Sequence, residues 1–166
     1  MKSDIHTSTT DVHSPEVRSY NMSRIRGRNT RPEMLIRTGL HARGFRFRLQ
    51  VRELPGRPDL VFPKWRAVLL VHGCFWHGHN CHLFRLPATR QDFWASKIAA
   101  NKERDARSYR ALADQGWRTL TLWECAIRGR GRWPDQDVLD ACETFLTGTA
   151  LAAEISGGSP HLGEIG

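Results

Sequence analysis

Asp59-Leu60-Val61-Phe62-Pro63-Lys64-Trp65-Arg66-Ala67-Val68-Leu69-Leu70-Val71-His72 is the stretch that decides how this chain folds. It holds two short apolar runs, Asp59 to Phe62 and Ala67 to Val71, which read as a short strand and a buried one. Pro55-Gly56-Arg57-Pro58 before them is a turn. Neighbouring strands lie about 4.8 Å apart. A hairpin of the two runs therefore brings Asp59, which begins one, close to His72, which ends the next. A carboxylate beside a backbone carbonyl at a strand end suits Mg²⁺, which prefers oxygen ligands. Taken alone, an Asp after a turn is more often a cap, so the case for Asp59 rests on the histidine-rich loop that its hairpin leads into.

That loop, His72-Gly73-Cys74-Phe75-Trp76-His77-Gly78-His79-Asn80-Cys81-His82, holds four imidazoles, two thiols and two large aromatics. A further thiol lies in Trp123-Glu124-Cys125. Thiolate and imidazole together suit Zn²⁺, which takes four such ligands tetrahedrally in structural sites. The preferred set is Cys74, His79, Cys81 and Cys125, one zinc per chain. The spacing is not that of a standard finger, and by chemistry alone His77 or His82 can stand in for His79. Reduced thiols in a core beside solvated histidines are the plainer reading, but burying so many unpaired polar groups is costly. His72 and His77 are then free for proton transfer, since imidazole titrates near neutral pH. Glu33 adds a second carboxylate, acting through bound water.

The remainder reads as one α/β domain with a central mixed sheet flanked by helices. Thr30-Arg31-Pro32-Glu33 is a capping-box pattern that opens a helix to about Ala42, ended by Gly44. Phe45, Phe47, Leu49 and Val51 alternate with arginines and Gln50, which predicts a strand with one basic face. Thr89 is expected to cap a long helix to about Gln115. Trp117 to Trp123 is expected to form a strand, and Pro134 to introduce a last helix that buries Cys142 as a small hydrophobe. Residues 1–19 read as a disordered tail, 20–147 as the domain and 148–166 as a flexible tail.

Charge points to the partner. The chain carries a formal net charge of +8, and between Arg18 and Arg52 there are ten arginines, no lysine and one acid, Glu33. Arginine's planar fork suits phosphates and guanine edges, so nucleic acid is the first expectation, with Arg46 and Arg48 as contacts. A solvated surface is the plainer alternative. The polar start, Met1 to Val17, does not read as a secretory signal. No stretch approaches the ~20 apolar residues of a membrane span. The four cysteines read better as metal ligands than as disulfides.

Several motifs in fixed order carry a family resemblance: Asn21-Met22, Leu54-Pro55-Gly56-Arg57-Pro58-Asp59, His72 to His77, Pro87-Ala88-Thr89-Arg90, Phe93-Trp94, Lys97-Ile98, Asn101, Glu103-Arg104-Asp105, Gly116-Trp117 and Trp123-Glu124-Cys125-Ala126. Over roughly residues 18–130 the chain resembles the Vsr endonucleases, the nicking enzymes of very short patch repair. The resemblance implies a restriction-endonuclease-like fold with an added zinc site. It implies strand cleavage 5′ to the thymine of a T·G mismatch, formed when 5-methylcytosine deaminates in a methyltransferase's target. By motif, Asp59 and the Val71 carbonyl would hold Mg²⁺. His72 would activate the attacking water or organise the waters around the metal, and His77 would serve the leaving side. Glu33 matches the family's helix carboxylate, and Cys74, His79, Cys81 and Cys125 match its zinc ligands. The implied partners are mismatched duplex DNA, mismatch-repair proteins and a cytosine-5 methyltransferase system. A monomer in the bacterial cytoplasm, at the nucleoid and off the membrane, is the expected setting.

The chain also departs from the family pattern. Val71 stands where the family also has threonine, so a carbonyl survives but a hydroxyl role does not. Gly78 and Asn80 interrupt what can be a run of histidines and are not expected to be essential. The Glu/Asp-x-Lys of the wider nuclease superfamily is missing after Asp59, with histidines in its place. Phe75, Trp76 and Trp94 are expected to act as a wedge between base pairs, with Met22 entering from the opposite groove. The alternative for Trp94 is a helical core stripe with Phe93 and Ile98. Asn101 is a further expected DNA contact. Two other classes fit the residues: a restriction endonuclease that cuts both strands, and a non-catalytic zinc DNA-binding module.

Overall fold

The computed structural model describes residues 29–158 and 163–164. Met22 and the tail expected over residues 1–19 lie outside them. The first helix, α1 (Arg31–Ala42), starts where the capping pattern predicts. Thr30 is its N-cap and its hydroxyl accepts the Glu33 N–H at 3.4 Å. The Glu33 carboxylate reaches back one residue further than in the standard box and accepts the Asn29 N–H at 3.1 Å. Gly44, at φ +90°, turns the chain out of the helix. Ile36 and Leu40 are fully buried on its inner face, each contributing roughly 1.5–3 kcal/mol by leaving water.

A six-stranded sheet runs in simple sequence order: β1 (Arg48–Leu49), β2 (Leu60–Phe62), β3 (Ala67–His72), β4 (Arg118–Trp123), β5 (Ala152–Ile155) and β6 (Gly163–Glu164). The pairs β1–β2 and β2–β3 are antiparallel, β3–β4 and β4–β5 are parallel, and β5–β6 is antiparallel. Parallel neighbours need a crossover. Helix α2 (Gln91–Asp114) supplies the first and α3 (Asp135–Thr147) the second.

Side-chain alternation sorts the strands into two faces. Leu60, Phe62, Leu69, Leu120, Leu122 and Ile155 point into the larger core under α1 and α3, where Cys142 is fully buried. Val61, Val68 and Leu70 point the other way and meet Leu112 of α2. The molecule is thus a helix–sheet–helix sandwich. His72 and Trp123 pair in register at the C-terminal ends of the two parallel strands, the usual place for a site in an open α/β sheet.

Three expectations need correction. The strand expected over residues 45–51 pairs only at Arg48 and Leu49, because Gln50 takes a left-handed φ of +46° that breaks the extended run. Phe45 is instead buried in the core. Arg90, also left-handed, stands at the N-cap of α2 in place of Thr89, and no side chain caps that end. Residues 152–155, expected in a flexible tail, form β5. The cause is Arg118, whose guanidinium donates to the carbonyls of Phe145, Leu146, Gly148 and Ala150. It closes the C-terminus of α3 and guides the chain back beside β4.

Candidate active site and metal cluster

Asp59 sits just before β2, and its Oδ2 accepts the Val71 N–H at 2.7 Å. The hairpin expected from the sequence therefore does bring it to the end of β3. Burial, and then the nearby Glu33 charge, push the Asp59 carboxyl up to about 6, against the pull of the Val71 N–H. Glu33 is only 4% exposed. Its carboxylate is engaged by Asn29 N–H, the Thr30 hydroxyl at 3.0 Å and Arg37 Nη2 at 2.8 Å. The structure thus gives Glu33 a helix-starting and ion-pairing role beside Asp59.

His72, 5% exposed, lies flat against His77, ring centres 3.7 Å apart and planes within 6°. Burial, helped by the His77 charge, lowers the His72 imidazole to about 3, so it stays neutral. His77 Nδ1 meets Asp105 Oδ2 at 2.5 Å. The Tyr109 hydroxyl lies 3.4 Å from His72 Nδ1 and 3.0 Å from Thr121 Oγ1. Asp105 and Tyr109 were not among the expected site residues. The signal was in the helix period: Ile98, Asn101, Asp105, Tyr109 and Leu112 fall three or four apart, one stripe of α2 that faces the loop and then the sheet. An acid and a phenol inside such a stripe mark a polar site beneath it.

One turn onward, Cys74, His79, Cys81 and Cys125 place their ligand atoms within 4.8 Å of one another. That is the set preferred on chemistry, and His77 is held elsewhere by Asp105. The His79 N–H donates to the Cys74 carbonyl at 3.0 Å, and the Cys81 N–H to that of His79 at 2.9 Å, folding the loop so that its donors converge. Gly78 has a backbone role. Its φ is +60°, and a Cβ there would lie 2.6 Å from Ile98 Cγ2. The Cys125 thiol is lowered to about 5, chiefly because Cys74 donates to its sulfur, while Cys74 is raised by the same bond and by burial. Three sulfurs and one imidazole converging in this way are a donor set that can hold a metal ion. Trp123 divides the two clusters: its ring stacks on His79 at 4.2 Å and meets His72 edge-on at 5.3 Å.

Phe75, Trp76 and Trp94 form a patch with ring centres 5.1–6.1 Å apart. All three are partly exposed and none joins either hydrophobic core. Trp94 therefore belongs with the loop aromatics and not with a core stripe. Lys97 Nζ lies 5.7 Å from the Trp76 ring centre and 5.9 Å from that of Trp94. Asn101 Nδ2 donates to the Trp76 carbonyl at 2.8 Å, so Asn101 braces the loop. Arg48 is exposed on the sheet's edge strand. Arg46 is exposed at the opposite end from Asp59, around a cavity it shares with Lys64 and Trp65. The arginine run is not all free surface. Arg37 is buried on Glu33, and Arg43 pairs with Asp140 at 2.6 Å and Glu143 at 2.9 Å.

With this geometry in place, comparison with known proteins gives a consistent answer. The family described as "DNA mismatch endonuclease Vsr" matches residues 10–83. The DNA mismatch endonuclease Vsr of Escherichia coli is 44% identical over 152 residues, 92% of this chain and 97% of that one. The type II nicking enzyme V.XorIIP of Xanthomonas oryzae pv. oryzae is 52% identical over 122 residues, 74% of this chain and 90% of its own length. V.NmeAIP of Neisseria meningitidis, another type II nicking enzyme, is 37% identical over 121 residues, 73% of this chain and 86% of its own. A relative this similar, matched over nearly its whole length, leaves one conclusion: the chain belongs to the Vsr DNA mismatch endonuclease family.

Proposed function

We propose that the protein nicks one strand of duplex DNA 5′ to the thymine of a T·G mismatch within a methyltransferase's target sequence, and so starts very short patch repair. The observation that carries the reading is a half-buried carboxylate, Asp59, bonded to the end of the strand that carries the first of two stacked imidazoles, beside a partly exposed aromatic patch. The names of the E. coli and Xanthomonas relatives, a mismatch endonuclease and a nicking enzyme, support it.

Asp59 and the Val71 carbonyl would hold Mg²⁺. A carboxyl whose proton affinity is raised by burial and by Glu33 fits a cation partner, which relieves both effects. When bound, the ion supplies positive charge against the phosphate and its attacking and leaving oxygens. Cys74, His79, Cys81 and Cys125 would hold Zn²⁺, whose chemistry matches their soft donors and closed set of four. Its part there is to fix the loop.

Hydrolysis forms one oxygen–phosphorus bond from water and breaks one to the leaving strand end. Water gives up a proton and the leaving oxygen gains one. His72 and His77 would serve those proton movements, and the contact of Asp105 with His77 Nδ1 supports the reading. Phe75, Trp76 and Trp94 would fill the opened base step, which a mismatch makes cheaper to open. The decisive experiment is a Mg²⁺-dependent cleavage assay over a library of T·G contexts with matched controls. A single cut on the thymine strand is expected. Cutting of both strands at matched sites would favour the restriction-type alternative, and binding without cutting would favour the zinc-module one.

A further inference from the structure

Resting on that reading of the site, we propose that the Tyr109 hydroxyl, braced by Thr121, is a positioning group that holds His72 in the tautomer protonated at Nε2, so that His72 serves the reaction as a neutral hydrogen-bond donor. The rings around His72 fix its plane. His77 covers one face at 3.7 Å, and Trp123 meets it edge-on at 5.3 Å. Neither contact determines which nitrogen carries the proton. Among the described residues, the hydrogen-bond partner of Nδ1 is the Tyr109 hydroxyl at 3.4 Å.

Counting hydrogens settles the direction. Tyr109 also meets Thr121 Oγ1 at 3.0 Å, and Thr121 is 3% exposed. Suppose Nδ1 carried the proton and donated to Tyr109. Tyr109 would then donate to Thr121, and the Thr121 hydrogen would have no protein acceptor among the described residues, only the cavity that Thr121 and Tyr109 line. Giving up a protein partner forgoes the net worth of one hydrogen bond. In the reverse order every hydrogen is used: Thr121 donates to Tyr109, Tyr109 donates to Nδ1, and Nε2–H is left for what enters the site. Burial raises the Tyr109 phenol to about 12, so it keeps the proton it donates. Asp105 in turn holds the Nδ1 of His77, so each of the two stacked imidazoles is oriented through its Nδ1. A donor role departs from the water-activating role that the family resemblance implies for His72. A neutral imidazole donating to an oxygen that gathers charge is an established catalytic device.

Tyr109→Phe keeps the ring that packs against the smaller core of Val61, Val68, Leu70 and Leu112 and removes only the hydroxyl. Two readouts on the zinc-loaded protein test the proposal. In ¹H–¹⁵N long-range spectra of histidine-labelled protein, His72 should show Nε2–H and an acceptor Nδ1 in the wild type. In Tyr109→Phe it should lose that bias. Single-turnover nicking of a T·G duplex should slow on the order of 10-fold in Tyr109→Phe, the scale of one hydrogen bond, with duplex affinity unchanged. Thr121→Val, which removes only the far end of the relay, should act in the same direction and less. A wild-type His72 protonated at Nδ1 overturns the proposal, and so does a Tyr109→Phe protein with wild-type spectra or wild-type nicking. Absence of any nicking by the wild type would instead sink the proposed function, while the spectra still decide the tautomer.

Discussion

Residues 72–82 are shared between two clusters only a turn apart, and the two are built on opposite principles. Cys74, His79 and Cys81 join Cys125 in a set of four soft donors that is complete in itself. His72 and His77 join Asp105 in a set of three, next to Asp59 and at the mouth of the sheet. A closed four-ligand shell leaves nothing for a substrate, whereas the second group leaves an imidazole nitrogen and a carboxylate to work with. Trp123 stacks on one cluster and touches the other, so the closed site can hold in place the loop that the open one uses. On the proposed function, one stretch of chain would carry a fold-stabilising role and a chemical role, divided by a single indole.

Disturbing the closed cluster gives the largest effect. Binding free energy at structural zinc sites of this kind is roughly 10–16 kcal/mol and is spent on folding. Cys125→Ser should therefore lose both metal and cooperative unfolding. Metal content and thermal melts of purified protein check this, and a metal-free wild type that melts normally would break the comparison. Thiol counting adds detail. Chelation should release Cys74, Cys81 and Cys125 to a thiol reagent, while Cys142, buried in α3 and raised to about 12, stays silent until unfolding.

Disturbing the open cluster should spare the fold. His72→Ala should slow single-turnover nicking on the order of 10²-fold, the scale of one positioned acid–base group or hydrogen-bond donor, with zinc content intact. Loss of zinc in this variant would mean the clusters are one unit.

The aromatic patch sets the next scale. Trp76→Ala should weaken T·G duplex binding by roughly 1–3 kcal/mol, the value of one stacking contact, and matched duplex far less. Equal losses on both duplexes would make Trp76 a structural residue. The smallest expected effect separates two arginines. Arg48→Ala should reduce the salt dependence of binding by about one unit of slope per lost phosphate contact. Arg46→Ala tests whether the DNA reaches the far end of the sheet, and the same reduction there would extend the footprint by the length of β2.

What the sequence made legible was local. The Thr30 cap, the paired strands from Asp59 to His72 and the zinc-type ligand set each rest on neighbouring residues, or on rare residue types that leave few alternatives. What it hid depended on partners far along the chain. A left-handed Gln50 cut the first strand short, and nothing near residue 50 announces that. Residues 152–155 read as tail because the force ordering them is Arg118, far upstream in the chain, bonding the carbonyls that precede them. Asp105 and Tyr109 were visible as letters in a helical stripe, but only the fold brings that stripe over His72 and His77. The arginine run misled in part, since Arg37 and Arg43 are spent on ion pairs within the protein.

The central claim is that chemistry belongs to the open cluster and folding to the closed one. Single-turnover nicking of a T·G duplex by folded, zinc-loaded Asp59→Ala tests it most directly. The account predicts no detectable nicking at any Mg²⁺ concentration, with zinc content, melting temperature and mismatch affinity near those of the wild type. Near-normal nicking by that variant would contradict it.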